Sequence, residues 1–502
     1  MFVFLNVMKR RKVVSVFFPL IAVMVVSGCY TEPSPLTGEK ERYGYTWEQE
    51  LALGKEADME ISKQLGVYED EAVQAYVESV GERVLSGSDF RKPDVPERYR
   101  GVDFTFRVID ASTVNAFALP GGYVYVTRGL LAHAENEAQL AMVLGHEIGH
   151  IAGRHAAQQA LKATWSQLGL IGATILGQAA LGEEAGQNLL GVGSTVLQLL
   201  LNKYSREDER EADRLGLRYT AELGYDTREG AGFFRTLDRM AAATGSRIPN
   251  WQSTHPEPGE REETILELSR RLAAEYPMAI KGREAFLSRI DGMVVGDNPR
   301  EGFVENGIFY HPDLRFRLDV PGGWKVQNET RVVLMGDPEN QAAIILEIAA
   351  ASSIEAAAAE LANGRAIQVL SRDRTLINGL QGLHLEATAQ TQQGTVYLVD
   401  TFIEYDRNIY SIMGITPSGR AERYRTRFLE AASSFRPLED QRYLAVEPHR
   451  LAIVQVDRPA SFREFVPETL PPGMSAEELA IMNQVTLETW VQPGTALKIP
   501  EG

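Results

Sequence analysis

Apolar residues recur at two different spacings along the chain, and the spacing changes by region. Between Thr46 and Leu85 they return every three or four positions, which predicts two consecutive helices. Val102–Ile109 and Tyr123–Val126 instead have the period of strands. Helical spacing returns over Ala141–His155, Ser205–Tyr219, Tyr225–Arg247 and residues 260–290. Residues 46–295 are therefore predicted to form a mainly helical unit with a small β-sheet.

Residues 303–437 have a different pattern, in which strands outnumber helices. The alternating stretches are Leu314–Val320, Arg331–Met335, Ala342–Ile348, Leu383–Ala389, Thr395–Tyr405 and Asn408–Ile415. Helical spacing occurs over Ile354–Asn363 and Ala421–Ala432. The pattern predicts an α+β domain, and Asp297–Gly302 before it is typical of a linker. Phe316 and the turn Pro321–Trp324 resemble PsbP-like domains, which use such a turn structurally.

Residues 443–502 are predicted to form a small third unit. A helix over Ala476–Asn483 precedes the stretch Gln492–Pro500, and this order resembles the second half of a LysM module. The resemblance implies binding of glycan chains such as peptidoglycan. The front half diverges, because Arg458–Ser461 replaces the usual Gly-Asp-Thr turn after a predicted strand over Ile453–Pro459. A purely structural role is therefore the alternative to glycan binding.

Residues 1–28 have the pattern of a bacterial signal peptide. The basic run Lys9–Lys12 precedes an apolar run, Val13–Val26, that is short for a membrane span. Cys29, the only cysteine in the chain, follows small residues and resembles the lipidated cysteine of a lipobox. Tyr30 in place of aspartate favours the outer membrane, by resemblance to lipoproteins of two-membraned bacteria. Residues 29–45 are then a tether; an ordinary secretory signal with an incidental cysteine is the alternative.

Composition narrows the possible partners. The chain has 502 residues, of which 44% are hydrophobic, and this balance suits a globular protein of about three domains. A formal net charge of −17 argues against nucleic acid as a partner and against a basic membrane-binding patch. The predicted contact with the membrane is therefore the N-terminal lipid. A single cysteine also excludes a disulfide within the chain.

The segment His146–His150, which reads HEIGH, lies inside the predicted helix Ala141–His155. Positions four apart lie on one helix face, so His146 and His150 can point two imidazoles at one metal ion. Glu147 lies beside them, where it can take a proton from an attacking water. The alternative is a helix whose two histidines are satisfied by protein partners. Burying two histidines and a carboxylate costs free energy unless their polar atoms have partners, and a bound metal ion provides one.

Two carboxylates in a later helix are candidates to complete this site. Glu209 and Asp213 are four apart within Ser205–Tyr219, so both fall on one face. A solvated acidic face is the usual explanation for a charged run of this kind. Leu161–Leu201, between the two helices, has apolar runs that polar residues interrupt, which argues against membrane spans. A packed helical hairpin is predicted there, with a flexible lid as the alternative.

A candidate edge strand lies directly before the turn Pro120–Gly122. The free N–H and C=O groups of an edge strand can pair with an extended peptide, which makes this strand a candidate substrate-binding element. Spacing alone favours the alternative of an ordinary hairpin with Tyr123–Val126. The residues concerned are Asn115, Ala116, Phe117, Ala118 and Leu119.

Four short sequence motifs occur in order along the chain. They are NAFALPGG over Asn115–Gly122, HEIGH, the pattern S-R-x-x-E-x-x-x-D over Ser205–Asp213, and Ser253-Thr254-His255-Pro256. Together they resemble the peptidase family of HtpX and the CaaX prenyl protease, in its soluble periplasmic BepA-like branch. The resemblance covers residues 45–290 and implies a mainly helical, gluzincin-type metalloprotease domain. The whole chain is then expected to be α+β, with this domain followed by the α+β domain and the LysM-like unit.

The resemblance implies a role for each residue of the site. His146, His150 and Glu209 would be the ligands of one zinc ion per chain. Two neutral imidazoles and a carboxylate leave the fourth tetrahedral position open, as in catalytic rather than structural zinc sites. Glu147 would be the general base. Asp213 would orient a ligand histidine from behind.

The resemblance extends to residues around the metal. His255 matches a family histidine near the zinc, so it would stabilise the oxyanion or occupy the open position in a resting form. Glu207 and Glu211 lie on other faces of the same helix as Glu209 and rank below it as ligands. Asn115–Leu119 would hold a substrate in extended form, and because main-chain pairing reads no side chains, specificity would be loose.

The function implied is that of a lipid-anchored zinc endopeptidase of the bacterial periplasm. Its substrates would be polypeptides, namely misfolded or stalled proteins of the envelope, so its role would be quality control. Two alternatives belong to other functional classes. One is an envelope chaperone or assembly factor in which zinc is only structural, and Glu147 argues against it because a structural site needs no base. The other is a peptidoglycan-binding protein led by residues 443–502.

Overall fold

The computed structural model describes residues 30–166, 204–244, 255, 261–328, 331–364, 366–391 and 394–502. The predicted signal peptide, Cys29 and most of Leu161–Leu201 lie outside these ranges, so what the sequence predicts for them stays a prediction. Every helix within the described ranges is too short or too polar to span a bilayer. The described chain mixes helices and sheets, which agrees with the predicted α+β class.

Helices dominate residues 46–295. In chain order they are α1 (Trp47–Leu65), α2 (Glu71–Ser86), α3 (Glu97–Arg100), α4 (Arg128–His133), α5 (Glu137–Ala152), α6 (His155–Ser166), α7 (Arg206–Glu222), α8 (Glu229–Thr244), α9 (Arg261–Leu272) and α10 (Arg283–Ile290). The strands of this part and of the segment before it are β1 (Tyr30–Pro33), β2 (Lys40–Tyr43), β3 (Thr105–Ile109), β4 (Ala116–Leu119) and β5 (Tyr123–Thr127). Thr46 forms a capping box with Gln49, and Asp70 caps α2, so both predicted helices begin where a side chain satisfies the first backbone N–H groups.

The small sheet has the strand order β3–β5–β4. β3 runs parallel to β5, whereas β4 pairs with β5 antiparallel, from Ala116 opposite Val126 to Leu119 opposite Tyr123. β4 therefore lies at an edge of this sheet, which agrees with the predicted edge strand and with the predicted hairpin. All four of its side chains are buried.

The segment predicted as a tether has secondary structure from residue 30 onward. β1 and β2 form an antiparallel hairpin that encloses Arg154, which is 1% exposed at the end of α5. Arg154 donates to Glu32 at 2.8 Å and to Glu50 at 2.8 Å, and its guanidinium carbon lies 3.7 Å from the centre of the Tyr43 ring. The tether was inferred from proline and glycine alone, and those residues occupy the hairpin's ends and turn.

Residues 303–437 form two antiparallel sheets. The elements are β6 (Phe303–Glu305), β7 (Ile308–His311), β8 (Phe316–Asp319), β9 (Lys325–Asn328), β10 (Val332–Gly336), β11 (Ala343–Ala349), β12 (Ile367–Ile377), β13 (Leu380–Thr391), β14 (Gly394–Tyr405), β15 (Asn408–Pro417), β16 (Arg436–Pro437), α11 (Ile354–Ala362) and α12 (Ala421–Ser433). The larger sheet has the strand order β12–β13–β14–β15–β11–β10–β9, and the smaller sheet has the order β16–β8–β7–β6. Alternate residues of β14 enter two separate apolar cores, one with α12 and one with α11.

Sequence periodicity missed β12 although this strand has 11 residues. β12 pairs only with β13 in the described sheet, and side chains along most of its length are exposed. A strand that is exposed on both faces has no apolar period to detect. The missed strand therefore reflects its position at the edge of the sheet.

Residues 443–502 pack into the helical unit instead of standing apart. Their apolar side chains, among them Leu479 and Ile499, belong to the same core as those of α2 and α5. Main-chain hydrogen bonds join Leu451 to Gly292 and Met293 at 2.7 and 2.8 Å. The elements are α13 (Gln441–Leu444), α14 (Ala476–Met482), β17 (Arg450–Gln455), β18 (Ala460–Ser461), β19 (Trp490–Val491) and β20 (Ala496–Glu501). The LysM resemblance stays a prediction.

Lys498 joins this C-terminal unit to the segment that leads into α5. Its side chain is fully buried, its ammonium donates to the carbonyl oxygens of Ala132 and Ala134 at 2.9 and 2.8 Å, and it lies 2.9 Å from a carboxylate oxygen of Glu135. Burial lowers the pKa of Lys498, and the Glu135 carboxylate opposes that shift. The paired charge therefore stabilises the connection only while both partners are present.

Replacing Lys498 by Met should lower the free energy of unfolding by about 3–5 kcal/mol, because Glu135 and two carbonyl groups lose their buried partner. Chemical denaturation of the full chain measures the effect. Arg458→Met is the matched control, since Arg458 is an exposed cation of the same unit and its loss should change stability by less than about 0.5 kcal/mol. Equal stability of the two variants would contradict the account of this contact.

Candidate metal centre

The centre is built where α5 and α7 approach unusually closely. A Cβ placed on Gly216 of α7 would lie 2.7 Å from the backbone nitrogen of His146, and one on Gly149 of α5 would lie 3.1 Å from the Cα of Ala212. Larger residues at these glycines would push the helices apart. Asn136 caps α5 and Ser205 caps α7 with Asp208, which sets where each helix begins. The close contact brings the first turns of α7 to the histidines of α5.

Four buried side chains converge between these helices. His146, His150, Glu209 and His255 each offer a ligand atom, and these atoms all lie within 4.8 Å of one another. Nε2 of His146 is 3.0 Å from Nε2 of His150. The same atom of His146 lies 3.5 Å from Oε2 of Glu209, and that of His150 lies 3.4 Å from Oε1 of Glu209. Nδ1 of His255 is 3.0 Å from Oε1 of Glu209. None of the four is more than 3% exposed.

This donor set fits a divalent metal of the zinc type. Imidazole nitrogens and a carboxylate are the ligands zinc prefers, and α5 holds His146 and His150 with their ring nitrogens facing the same point. Glu147, which directly follows His146 in α5, is fully buried, and neither of its carboxylate oxygens has a hydrogen-bond partner among the described residues. Such a carboxylate is costly to bury, so its position beside the cluster indicates a reacting or bound species.

Electrostatic interactions set the protonation of the cluster without a metal. Burial and Arg261 lower the pKa of His146, but Asp213 and Glu209 outweigh them and raise it to about 9. Burial, together with the nearby charge of Glu209, raises the pKa of Glu147, and burial keeps the pKa of His150 well below its usual value. Asp213 and Glu209 therefore favour a positive charge at the His146 ring, while burial favours the neutral forms of Glu147 and His150.

Asp213 and Arg261 support the cluster from behind. Oδ1 of Asp213 is 3.0 Å from Nδ1 of His146, on the side of the ring away from Glu209. Arg261, at the start of α9, forms an ion pair with Asp213 and donates to Glu209 at 3.0 Å. Its guanidinium carbon lies 4.1 Å from the centre of the Phe234 ring. Sequence reasoning missed Arg261, because nothing local in its charged helix marks a residue that reaches two acids of α7.

The other residues singled out in the sequence have defined positions. Glu207 is exposed, and Glu211 contacts His155, so neither belongs to the four-residue cluster. Tyr204, which the sequence did not suggest, stacks on His150 with ring centres 3.9 Å apart. A small cavity of about 10 Å³ lies between this ring and the end of β4; its lining is Glu50, Ala118, Leu119, Pro120, His150, Ile151, Arg154, Ala156 and Tyr204.

Comparison with known proteins finds one family across this region. Residues 71–269 match peptidase family M48. The chain is 34% identical to a putative β-barrel assembly-enhancing protease of Vibrio cholerae, covering 46% of each chain. It is 33% identical to the mitochondrial metalloendopeptidase OMA1 of Bos taurus, covering 51% of this chain and 48% of that one. The β-barrel assembly-enhancing protease of Escherichia coli K12 is 29% identical, with 47% of each chain covered.

These matches have a limited extent. The chain spans about half the length of the curated relatives it matches. The solution structure of cyanobacterial PsbP from Synechocystis matches 26% of the chain at 12% identity with a TM-score of 0.23, a likeness too weak to support a structural conclusion. The family match, by contrast, includes both helices of the metal centre, and members of this family use zinc. The chain therefore carries a metallopeptidase domain of family M48 that resembles those of the β-barrel assembly-enhancing proteases.

Proposed function

We propose that this protein is a zinc-dependent endopeptidase that hydrolyses peptide bonds of misfolded or stalled envelope proteins. The observation that carries the proposal is the position of Glu147. A buried carboxylate without a hydrogen-bond partner among the described residues lies beside three convergent metal donors, His146, His150 and Glu209. A purely structural metal site does not need such a group. The names of the relatives, which are proteases, support the same chemistry.

Each residue of the centre has a role in this proposal. His146, His150 and Glu209 hold the metal, and Asp213 accepts a hydrogen bond from the ring of His146 so that its Nε2 faces the ion. Bound zinc supplies Lewis-acid chemistry, which activates water and polarises a carbonyl oxygen. Glu147 takes the proton of the attacking water and passes it to the leaving amine. Burial raises the pKa of Glu147, which strengthens it as a base.

His255 is the fourth donor of the cluster and faces both acids. Its Nδ1 lies 3.0 Å from Glu209, and its Nε2 lies 3.5 Å from Glu147. In this position it either donates to the oxyanion of a reacting peptide or occupies the open metal position in a resting form. Its distances to the other donors support both roles.

The substrate is proposed to lie along β4 as an added strand. β4 is an edge strand, and its residues Ala118 and Leu119 line the same small cavity as His150 of the metal centre. Main-chain pairing along residues 115–119 accepts many sequences, so access to an extended segment would decide which proteins are cleaved. Unfolded or stalled envelope proteins expose such segments.

The proposed location is the periplasmic side of the outer membrane, through lipid on Cys29. The support is the signal-like pattern of residues 1–28 and the names of the bacterial relatives, which refer to β-barrel assembly. Residues 443–502 share the apolar core of the peptidase unit, and this favours a structural role for them over peptidoglycan binding.

Glu147→Gln should lower the rate of casein cleavage by about 10²- to 10⁴-fold while the bound zinc stays at one equivalent, because only the base is lost. Glu207→Gln is the matched control, since Glu207 is an exposed acid of α7 and should cleave like wild type. Metal analysis and cleavage are measured on the same samples. Zinc-loaded wild type that leaves casein intact would instead favour the chaperone alternative.

Cys29→Ser should move the protein from the membrane fraction to the soluble fraction of the periplasm, because acyl chains are the proposed anchor. Fractionation of cells that express either form, followed by immunoblotting, measures the distribution. A variant that stays with the membrane as wild type does would contradict lipid anchoring through this residue.

A further inference from the structure

A second imidazole lies directly behind one of the proposed metal ligands. Nδ1 of His150 is 2.8 Å from Nδ1 of His155, the first residue of α6, and Nε2 of His155 is 3.1 Å from Oε2 of Glu211 on α7. His155 is fully buried, whereas the side chain of Glu211 is 37% exposed. A continuous chain of hydrogen bonds therefore joins the metal centre to a carboxylate at the surface.

The chemistry of the three groups sets the direction of both hydrogen bonds. A carboxylate only accepts hydrogen bonds, so Nε2 of His155 must carry a proton and donate a hydrogen bond to Glu211. In a neutral imidazole the other nitrogen is then an acceptor, so Nδ1 of His155 must accept a hydrogen bond from the N–H at Nδ1 of His150. His150 is left with its lone pair on Nε2, which is the atom that faces His146 and Glu209.

The surrounding chain is shaped to hold this arrangement. A Cβ placed on Gly153 would overlap the ring of His155, so the glycine three residues after His150 leaves room for the second imidazole. Tyr204 stacks on His150 at a ring-centre distance of 3.9 Å, which restrains the plane of that ring. Glu211 is two residues after Glu209, so α7 directs one carboxylate to the metal donors and the other to His155.

We propose that His155 and Glu211 are positioning residues that hold His150 in the tautomer and orientation required for zinc binding. The proposal rests on the metal site proposed above and adds to it a second group of residues that orient a metal ligand. His146 receives this support directly from the carboxylate of Asp213, whereas His150 receives it through an intervening imidazole. Groups that orient metal ligands in this way raise the affinity for the metal, and removing them weakens metal binding.

The test compares zinc affinity in His155→Asn and His155→Phe, measured on the full chain by competition with a chromogenic chelator. Asn can place an oxygen near the position of the original Nδ1 and still accept from His150, whereas Phe keeps the ring but accepts nothing. We expect Phe to weaken zinc binding by about 10- to 100-fold and Asn to weaken it less. If the ring only fills space, the order reverses, because Asn leaves a cavity.

A second pair of variants keeps the test valid if substitutions at His155 prevent folding. Glu211→Ala should weaken zinc binding, while Glu207→Ala, an exposed position on the same helix, should bind zinc as wild type does. Far-UV circular dichroism of the metal-free proteins checks the fold. Equal affinity in Glu211→Ala and Glu207→Ala, or in His155→Phe and wild type, would overturn the proposal. Failure of wild type itself to bind zinc would instead overturn the metal site.

Discussion

The close contact between α5 and α7 is the constraint on which the rest of the site depends. Gly149 and Gly216 let one helix backbone approach the other, and larger side chains there would separate the histidines from the acids. Each helix alone offers an incomplete set of donors. Joined at this distance, they bring His146, His150 and Glu209 together in a volume from which solvent is excluded.

Burying so many ionisable groups requires that each be paired. Arg261 compensates Asp213 and Glu209, Asp213 holds the outer nitrogen of His146, and Glu211 reaches His150 through His155. Removing one member would leave an uncompensated buried charge or polar group, which costs more than the pair itself contributes. Among the described residues, the carboxylate of Glu147 lacks a hydrogen-bond partner, and this is the group to which the proposed chemistry assigns a proton transfer.

The sequence could predict the features that depend on neighbouring residues. Helical spacing located α1, α2 and α5, and the four-residue interval within HEIGH placed two imidazoles on one face. It could not predict contacts between distant segments. Arg261 lies 48 positions from Asp213, and Lys498 lies 364 from Ala134. The hairpin of residues 30–43 was missed for the same reason, since its order comes from contacts with Arg154 rather than from its own composition.

Two imidazoles of α5 and a carboxylate of α7 are proposed to bind one zinc ion. Anomalous diffraction at the zinc absorption edge, from crystals of the full chain, tests it most directly. We expect a single strong peak between the side chains of His146, His150 and Glu209, with Glu147 adjacent but not bound. A peak elsewhere, or a zinc site that excludes Glu209, would contradict it.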